Sequence, residues 1–121
     1  MPHPLDSEFV RGQLALRAQP LAKRAPVAGA YVLYWMASTQ RFEENWALRV
    51  ATLEADRLGL PLLTLVDTPG AAPGSESEAD GIAREIARTF SALAGLPSKS
   101  VGVCVGEGGS GGALALAACD R

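Results

Sequence analysis

The stretch Gly106-Glu107-Gly108-Gly109-Ser110-Gly111-Gly112 places five glycines in seven positions, between an apolar strand-like run and an Ala/Leu-rich helical one. Glycine at that density costs backbone entropy, and its usual return is a chain that can adopt positive φ and come close to a ligand. Amides at the start of the following helix have no helical acceptor, and the macrodipole adds positive potential there. Such a turn suits an anion: a phosphate, an enolate or a tetrahedral oxyanion.

Other chemistries fit the same letters less well. Gly106, Gly108 and Gly111 satisfy the G-x-G-x-x-G spacing of a dinucleotide site. The acidic ribose partner of that motif, about 20 residues on, would fall past Arg121, and the unit stands third in the chain rather than first. No Lys follows the glycines, so this is not a P-loop; Asp67-Thr68-Pro69-Gly70 looks like a GTPase switch sequence but has no phosphate cradle without one. Tight strand–helix packing alone would also account for a glycine-rich turn. Ser110 has no histidine to activate it as a nucleophile, since the single histidine, His3, sits in a Pro-flanked terminus. Glu107 lies in the loop, where a general base could stand.

The elements that must position this turn follow from periodicity. Tyr31-Val32-Leu33-Tyr34-Trp35-Met36 is β-branched and aromatic, and reads as a first strand. From Arg41 to Leu58, apolar residues recur at helical spacing, with Gly59 and Pro61 as stop signals. Leu62 to Val66 is a nearly all-apolar run, as expected for a parallel strand covered on both faces. After the turn-rich Asp67-Thr68-Pro69-Gly70-Ala71-Ala72-Pro73-Gly74, Ser75 and Glu78 have capping-box spacing and open a helix that continues through Ile82, Ile86, Phe90 and Leu93 to Gly95 and Pro97. Residues 100–105 read as a third strand, 106–112 as a loop and 111–118 as a last helix.

The order β-α-β-α-β-α predicts an α/β fold with a three-stranded parallel sheet over 31–36, 62–66 and 100–105, partly Rossmann-like. Ligands of such sheets sit at the carboxyl ends of the strands, where both glycine-rich loops fall. Residues 1–30, with four prolines and one short helix over Ser7 to Arg17, read as a lead-in to a single α/β domain over 31–121. Tyr31, Trp35 and Trp46 read as core aromatics.

Composition is that of an ordinary globular chain. Of 121 residues, 48% are hydrophobic and 20% charged, and 11 basic against 13 acidic side chains give a net charge of −2. No basic excess favours nucleic acid or an anionic membrane. No apolar run approaches the ~20 residues of a membrane span, and the N-terminus does not read as a signal peptide, so the expected location is cytoplasmic. Cys104 and Cys119 lack metal-ligand spacing and read as free thiols.

Residues 59–121 resemble the carboxyltransferase alpha subunit of acetyl-CoA carboxylase and its fused actinobacterial relatives. The matching pieces are Gly59-Leu60-Pro61, Asp67-Thr68-Pro69-Gly70-Ala71 with Pro73-Gly74, Ile86-Ala87-Arg88, and Gly106 to Ala115. The resemblance implies a crotonase-like fold and carboxyl transfer from carboxybiotin, held on a biotin carrier protein, to acetyl-CoA or another acyl-CoA, as in fatty acid biosynthesis. By position it implies Gly111 and Gly112 as the catalytic pair whose amides form an oxyanion hole. Gly108, Gly109, Ser110, Gly70 and Ala71 are then the substrate-binding candidates. It also implies a partner carboxyltransferase subunit and active sites formed between subunits.

On this reading the chain is shorter than the whole enzyme and inactive alone. It is also expected to self-associate, through its sheet edges and an uncovered apolar face. Residues 29–58 resemble instead the N-terminal α/β segment of class II DNA photolyases, through Tyr34-Trp35-Met36, Gln40-Arg41 and Asn45-Trp46-Ala47-Leu48, with a junction near 46–61. Light-driven repair needs a large flavin-binding helical domain that 121 residues cannot also contain. The alternative to a carboxyltransferase fragment is therefore a non-catalytic mosaic α/β domain.

Overall fold

The computed structural model describes residues 29–36 and 45–121, together with the isolated positions Gly12 and Leu16. The short helix expected over residues 7–17 lies outside the described residues except at Gly12 and Leu16, which are both helical. In chain order the elements are β1 (Val32–Trp35), α1 (Trp46–Leu58), β2 (Leu62–Thr68), α2 (Ser75–Ala79), α3 (Ile82–Ala94), β3 (Ser100–Gly108) and α4 (Ser110–Leu116). The strands form one parallel sheet in the order β1-β2-β3, so the expected α/β architecture is present. Leu33, Leu63 and Val101 share one register row, and Trp35, Leu65 and Val103 share another.

Local chemistry explains most boundaries. Asn45 caps α1, its side-chain oxygen accepting from the Leu48 amide at 2.9 Å. Its side-chain nitrogen donates to the Tyr34 hydroxyl at 2.7 Å, which ties the helix start to β1 inside the core. Gly59, left-handed at φ 63°, ends α1 as its sequence position requires. The helix expected to run unbroken from Ser75 is interrupted instead: Gly81 takes φ 82° and starts α3 as a separate helix. Helix α2 does begin at Ser75, but its N-cap is Gly74 at φ 126° and no side chain caps it, so Ser75 stands one residue too late to close the Ser75–Glu78 box.

The core lies on one side of the sheet. Tyr34 and Met36 of the β1 segment and Leu62 and Val66 of β2 cluster with Leu48, Ala51 and Ala55 of α1, Leu93 of α3, and Ala113 and Leu116 of α4. Because side chains alternate across a strand, Leu33, Trp35, Leu63, Leu65, Val101 and Val103 point the other way. There Trp35 is 69% exposed, Leu33 47% and Val103 40%. Two expectations are corrected here. Strand β2 is fully buried on one face, whereas among the described residues Leu63 and Leu65 on the other are half-buried. Tyr31 and Trp35 are not core residues, because α1, α3 and α4 all pack on the opposite face. Trp46 is partly buried and lies under the Arg49 guanidinium, 5.2 Å from its ring centre.

Candidate functional site

The carboxyl ends of β2 and β3 are bound together by their own backbone and by one side chain of β2, that of Asp67. Strand β2 runs two residues further than expected, to Thr68, and the register slips between Val66 and Thr68. At that slip the Asp67 carboxylate reaches across and accepts the Glu107 amide at 2.9 Å. It passes over Gly106, where a Cβ would overlap the carboxylate group. Thr68 works in both directions: its carbonyl accepts the Gly109 amide at 2.9 Å, and its hydroxyl oxygen accepts the Gly70 amide at 3.0 Å.

These bonds correct the extent of the glycine-rich loop. Gly106 and Gly108 belong to β3, which continues to residue 108, and α4 already begins at Ser110. The turn between them reduces to Gly109. A side chain at Gly109 would overlap the Pro69 carbonyl, and a Cβ at Gly108 would come 2.8 Å from Cys104 Sγ. Gly70 has φ 107°, and a Cβ there would stand 2.6 Å from the Gly109 carbonyl oxygen and 2.7 Å from Ser110 Oγ. Contact between chain segments, rather than approach of a ligand, thus explains why Gly109, against the Pro69 backbone, and Gly106, against the Asp67 carboxylate, carry no side chain. The same contact brings the Gly70 loop and the Ser110 turn together at one end of the sheet.

What remains for chemistry is the first turn of α4. Its first helical bond runs from the Ala113 amide to the Gly109 carbonyl at 3.1 Å. The amides of Ser110, Gly111 and Gly112 therefore have no acceptor within the helix, whereas that of Gly109 is engaged by Thr68. Ser110 is exposed, Gly111 half-buried and Gly112 buried. Neither Gly111 nor Gly112 has positive φ; the left-handed residue of the turn is Ser110, at φ 44°. A serine there carries strain of ~1–3 kcal/mol, of the kind that collects at functional turns. Gly111 faces α3, where a Cβ would meet Ile86 Cδ1 at 3.3 Å.

Of the sequence-predicted site residues, the structure brings Gly70, Gly108, Gly109, Ser110 and Gly111 into one cluster, with Ala71 following Gly70 in the half-buried start of the loop. Glu107 is exposed and contributes its amide to the Asp67 tie. Asp67, Thr68 and Ile86 shape the site without having been singled out for it. Their part depends on cross-strand pairing and helix packing, which leave no local mark in the sequence. Cys104 and Cys119 are both free thiols. No group of acidic, His or Cys side chains among the described residues could hold a metal, and no helix among them is long and apolar enough to cross a membrane.

Residues 41–121 match the family described as acetyl co-enzyme A carboxylase carboxyltransferase-like. The fused carboxyl transferase subunits beta/alpha of Salinispora arenicola are 57% identical over 75 residues, which cover 62% of this chain and 13% of that protein. The carboxyl transferase subunit alpha of Erythrobacter litoralis is 55% identical over 75 residues, covering 62% of this chain and 24% of the relative. The alpha subunit of Mesorhizobium japonicum is 40% identical over 126 residues, covering 96% of this chain and 38% of the relative. The chain therefore spans between about an eighth and two fifths of these relatives' lengths. Residues 41–58, which carry part of the photolyase resemblance, fall inside the family match.

Proposed function

The chain belongs to the acetyl-CoA carboxylase carboxyltransferase-like family, and on that premise we propose that it is a segment of a carboxyltransferase that moves a carboxyl group from carboxybiotin to an acyl-CoA. Helix α1 is then carboxyltransferase sequence like the rest, and no second family is needed to account for it. When a proton leaves the α-carbon of an acyl-CoA, negative charge gathers on the thioester oxygen. Fixed N–H donors aimed at that oxygen lower the cost, each by ~3 kcal/mol in a closed catalytic site. Gly111 and Gly112 supply these donors, and Gly70 and Ala71 with Ser110 form the wall against which the thioester lies.

One observation carries this reading: three consecutive amides without a helical acceptor begin α4 at the place where the loop after β2 meets the turn after β3. Gly111 has no positive φ, so its missing side chain answers no backbone need; it lets α4 lie close to Ile86 of α3. Both carboxybiotin and the acyl-CoA act as substrates, and the biotin carrier protein and a partner carboxyltransferase subunit supply the remaining walls. Alone, the chain binds but does not turn over. Calorimetric titration with acetyl-CoA and with biocytin tests this: binding of either at up to millimolar concentration supports it, and binding of neither contradicts it in favour of a non-catalytic α/β domain.

A further inference from the structure

We propose that the Thr68 hydroxyl is a positioning group, which sets the Gly70–Ala71 loop against the Ser110 turn. Its effect on an acyl-CoA follows from that placement and rests on the carboxyltransferase reading of the site. Thr68 closes the buried row of β2, after Leu62, Thr64 and Val66, and is itself 1% exposed. A valine has the same shape, so a hydroxyl buried there calls for a partner. The other buried threonines of the described residues use theirs as donors to backbone carbonyls: Thr52 to Arg49 at 2.9 Å, Thr64 to Leu116 at 3.1 Å and Thr89 to Glu85 at 2.8 Å. The Thr68 oxygen instead accepts a backbone amide, that of Gly70, at 3.0 Å.

That bond acts on the loop in two ways. It engages the Gly70 N–H, so Gly70 serves the site as a wall and not as a donor. It also holds Gly70 at φ 107°, so close to the Ser110 turn that an added Cβ would stand 2.6 Å from the Gly109 carbonyl oxygen and 2.7 Å from Ser110 Oγ. The Thr68 carbonyl meanwhile accepts the Gly109 amide at 2.9 Å. One buried residue thus grips both segments, the loop by its side chain and the turn by its backbone. A substitution can remove the first hold and leave the second in place, which separates positioning from folding.

Thr68→Val keeps the shape and removes the acceptor, whereas Thr68→Ser keeps the acceptor and removes only the methyl. In the free ¹⁵N-labelled 121-residue chain, Thr68→Val is expected to speed amide hydrogen exchange at Gly70 and to shift the amide signals of Ala71, Ser110 and Gly111. Gly109 and Ala113 are expected to stay as protected as in the native chain, and Thr68→Ser to match the native chain throughout. Unchanged Gly70 exchange, or unmoved Ser110 and Gly111 signals, in Thr68→Val overturns the proposal. So does faster exchange at Gly109 and Ala113, which would make the hydroxyl a support of the whole fold. Loss of Gly70 protection in Thr68→Ser overturns it too, and that chain decides alone where the valine chain does not fold.

Binding is read by titrating acetyl-CoA into the same three chains. Thr68→Val is expected to bind about 10-fold more weakly, the equivalent of one hydrogen bond lost from the support of the site, and Thr68→Ser within about 2-fold of the native chain. Equal affinity in the native and valine chains overturns the role in binding. No binding by the native chain contradicts the carboxyltransferase reading instead, and the exchange and shift measurements then still decide whether the hydroxyl sets the loop.

Discussion

The Gly109 amide donates to the Thr68 carbonyl at 2.9 Å, so the start of α4 hangs directly from the end of β2. Through this bond and the Asp67–Glu107 bond, two segments forty residues apart in sequence act as one rigid corner. The amides of Ser110, Gly111 and Gly112 are presented from that corner, and its rigidity sets how well they can be aimed at a ligand.

Glycines of the corner should therefore differ sharply in what replacement costs. Gly109→Ala drives a methyl into the Pro69 carbonyl, and Gly70→Ala combines φ 107° with backbone contact at 2.6 Å. Each is expected to lose ~2 kcal/mol or more in urea unfolding. Gly111→Ala has an ordinary φ and needs only a small shift of Ile86, and better helix propensity offsets that contact, so its change should stay within ~1 kcal/mol. Equal losses at all three positions would contradict this reading.

Ser110 offers the converse test. It holds φ 44° without being glycine, so Ser110→Gly should relieve strain and raise stability by up to ~1 kcal/mol, whereas Ser110→Ala should not. Loss of stability in the glycine variant would mean that the hydroxyl holds the turn.

Asp67→Ala removes the acceptor of the Glu107 amide from an exposed site. The expected cost is ~1 kcal/mol, with faster amide hydrogen exchange at Glu107 and no change at Ala113. Exchange that stays slow at Glu107 would show that the carboxylate is not its main protection.

Tyr34 gives the fold a pH dependence. Burial pushes its hydroxyl above the usual 10.0, and the Asn45 hydrogen bond opposes the shift. The unfolded chain therefore loses this proton first as pH rises, and the contribution to stability is full below pH 10 and falls above it. Denaturant midpoints should decline above about pH 10 in the native chain, and less steeply in Tyr34→Phe. A steep fall that survives in Tyr34→Phe would assign the titration to another group.

Much of the fold was legible because its signals are local. The three strands, the stop at Gly59 and the helical spacing of α1 and α3 all follow from neighbouring residues. The C-terminal end of β3 and the true extent of the loop were not, because Gly106 reads as flexible until the Asp67 carboxylate is seen to fill its space. Trp35 was misread for a similar reason: alternation says which residues share a face, but not that α1, α3 and α4 would choose the other one. At the site, the glycines were found by their density, whereas the strain falls on Ser110, a residue whose type gives no sign of it.

The central claim is that the first amides of α4 receive an acyl-CoA thioester. It is tested most directly by titrating acetyl-CoA into the ¹⁵N-labelled chain and following each backbone amide, in the native sequence and in Gly111→Val. The expected result is saturable shifts at Ser110, Gly111, Gly112, Gly70 and Ala71, lost in the valine variant although its fold is retained. Shifts confined to other amides, or the same shifts in Gly111→Val, would contradict it.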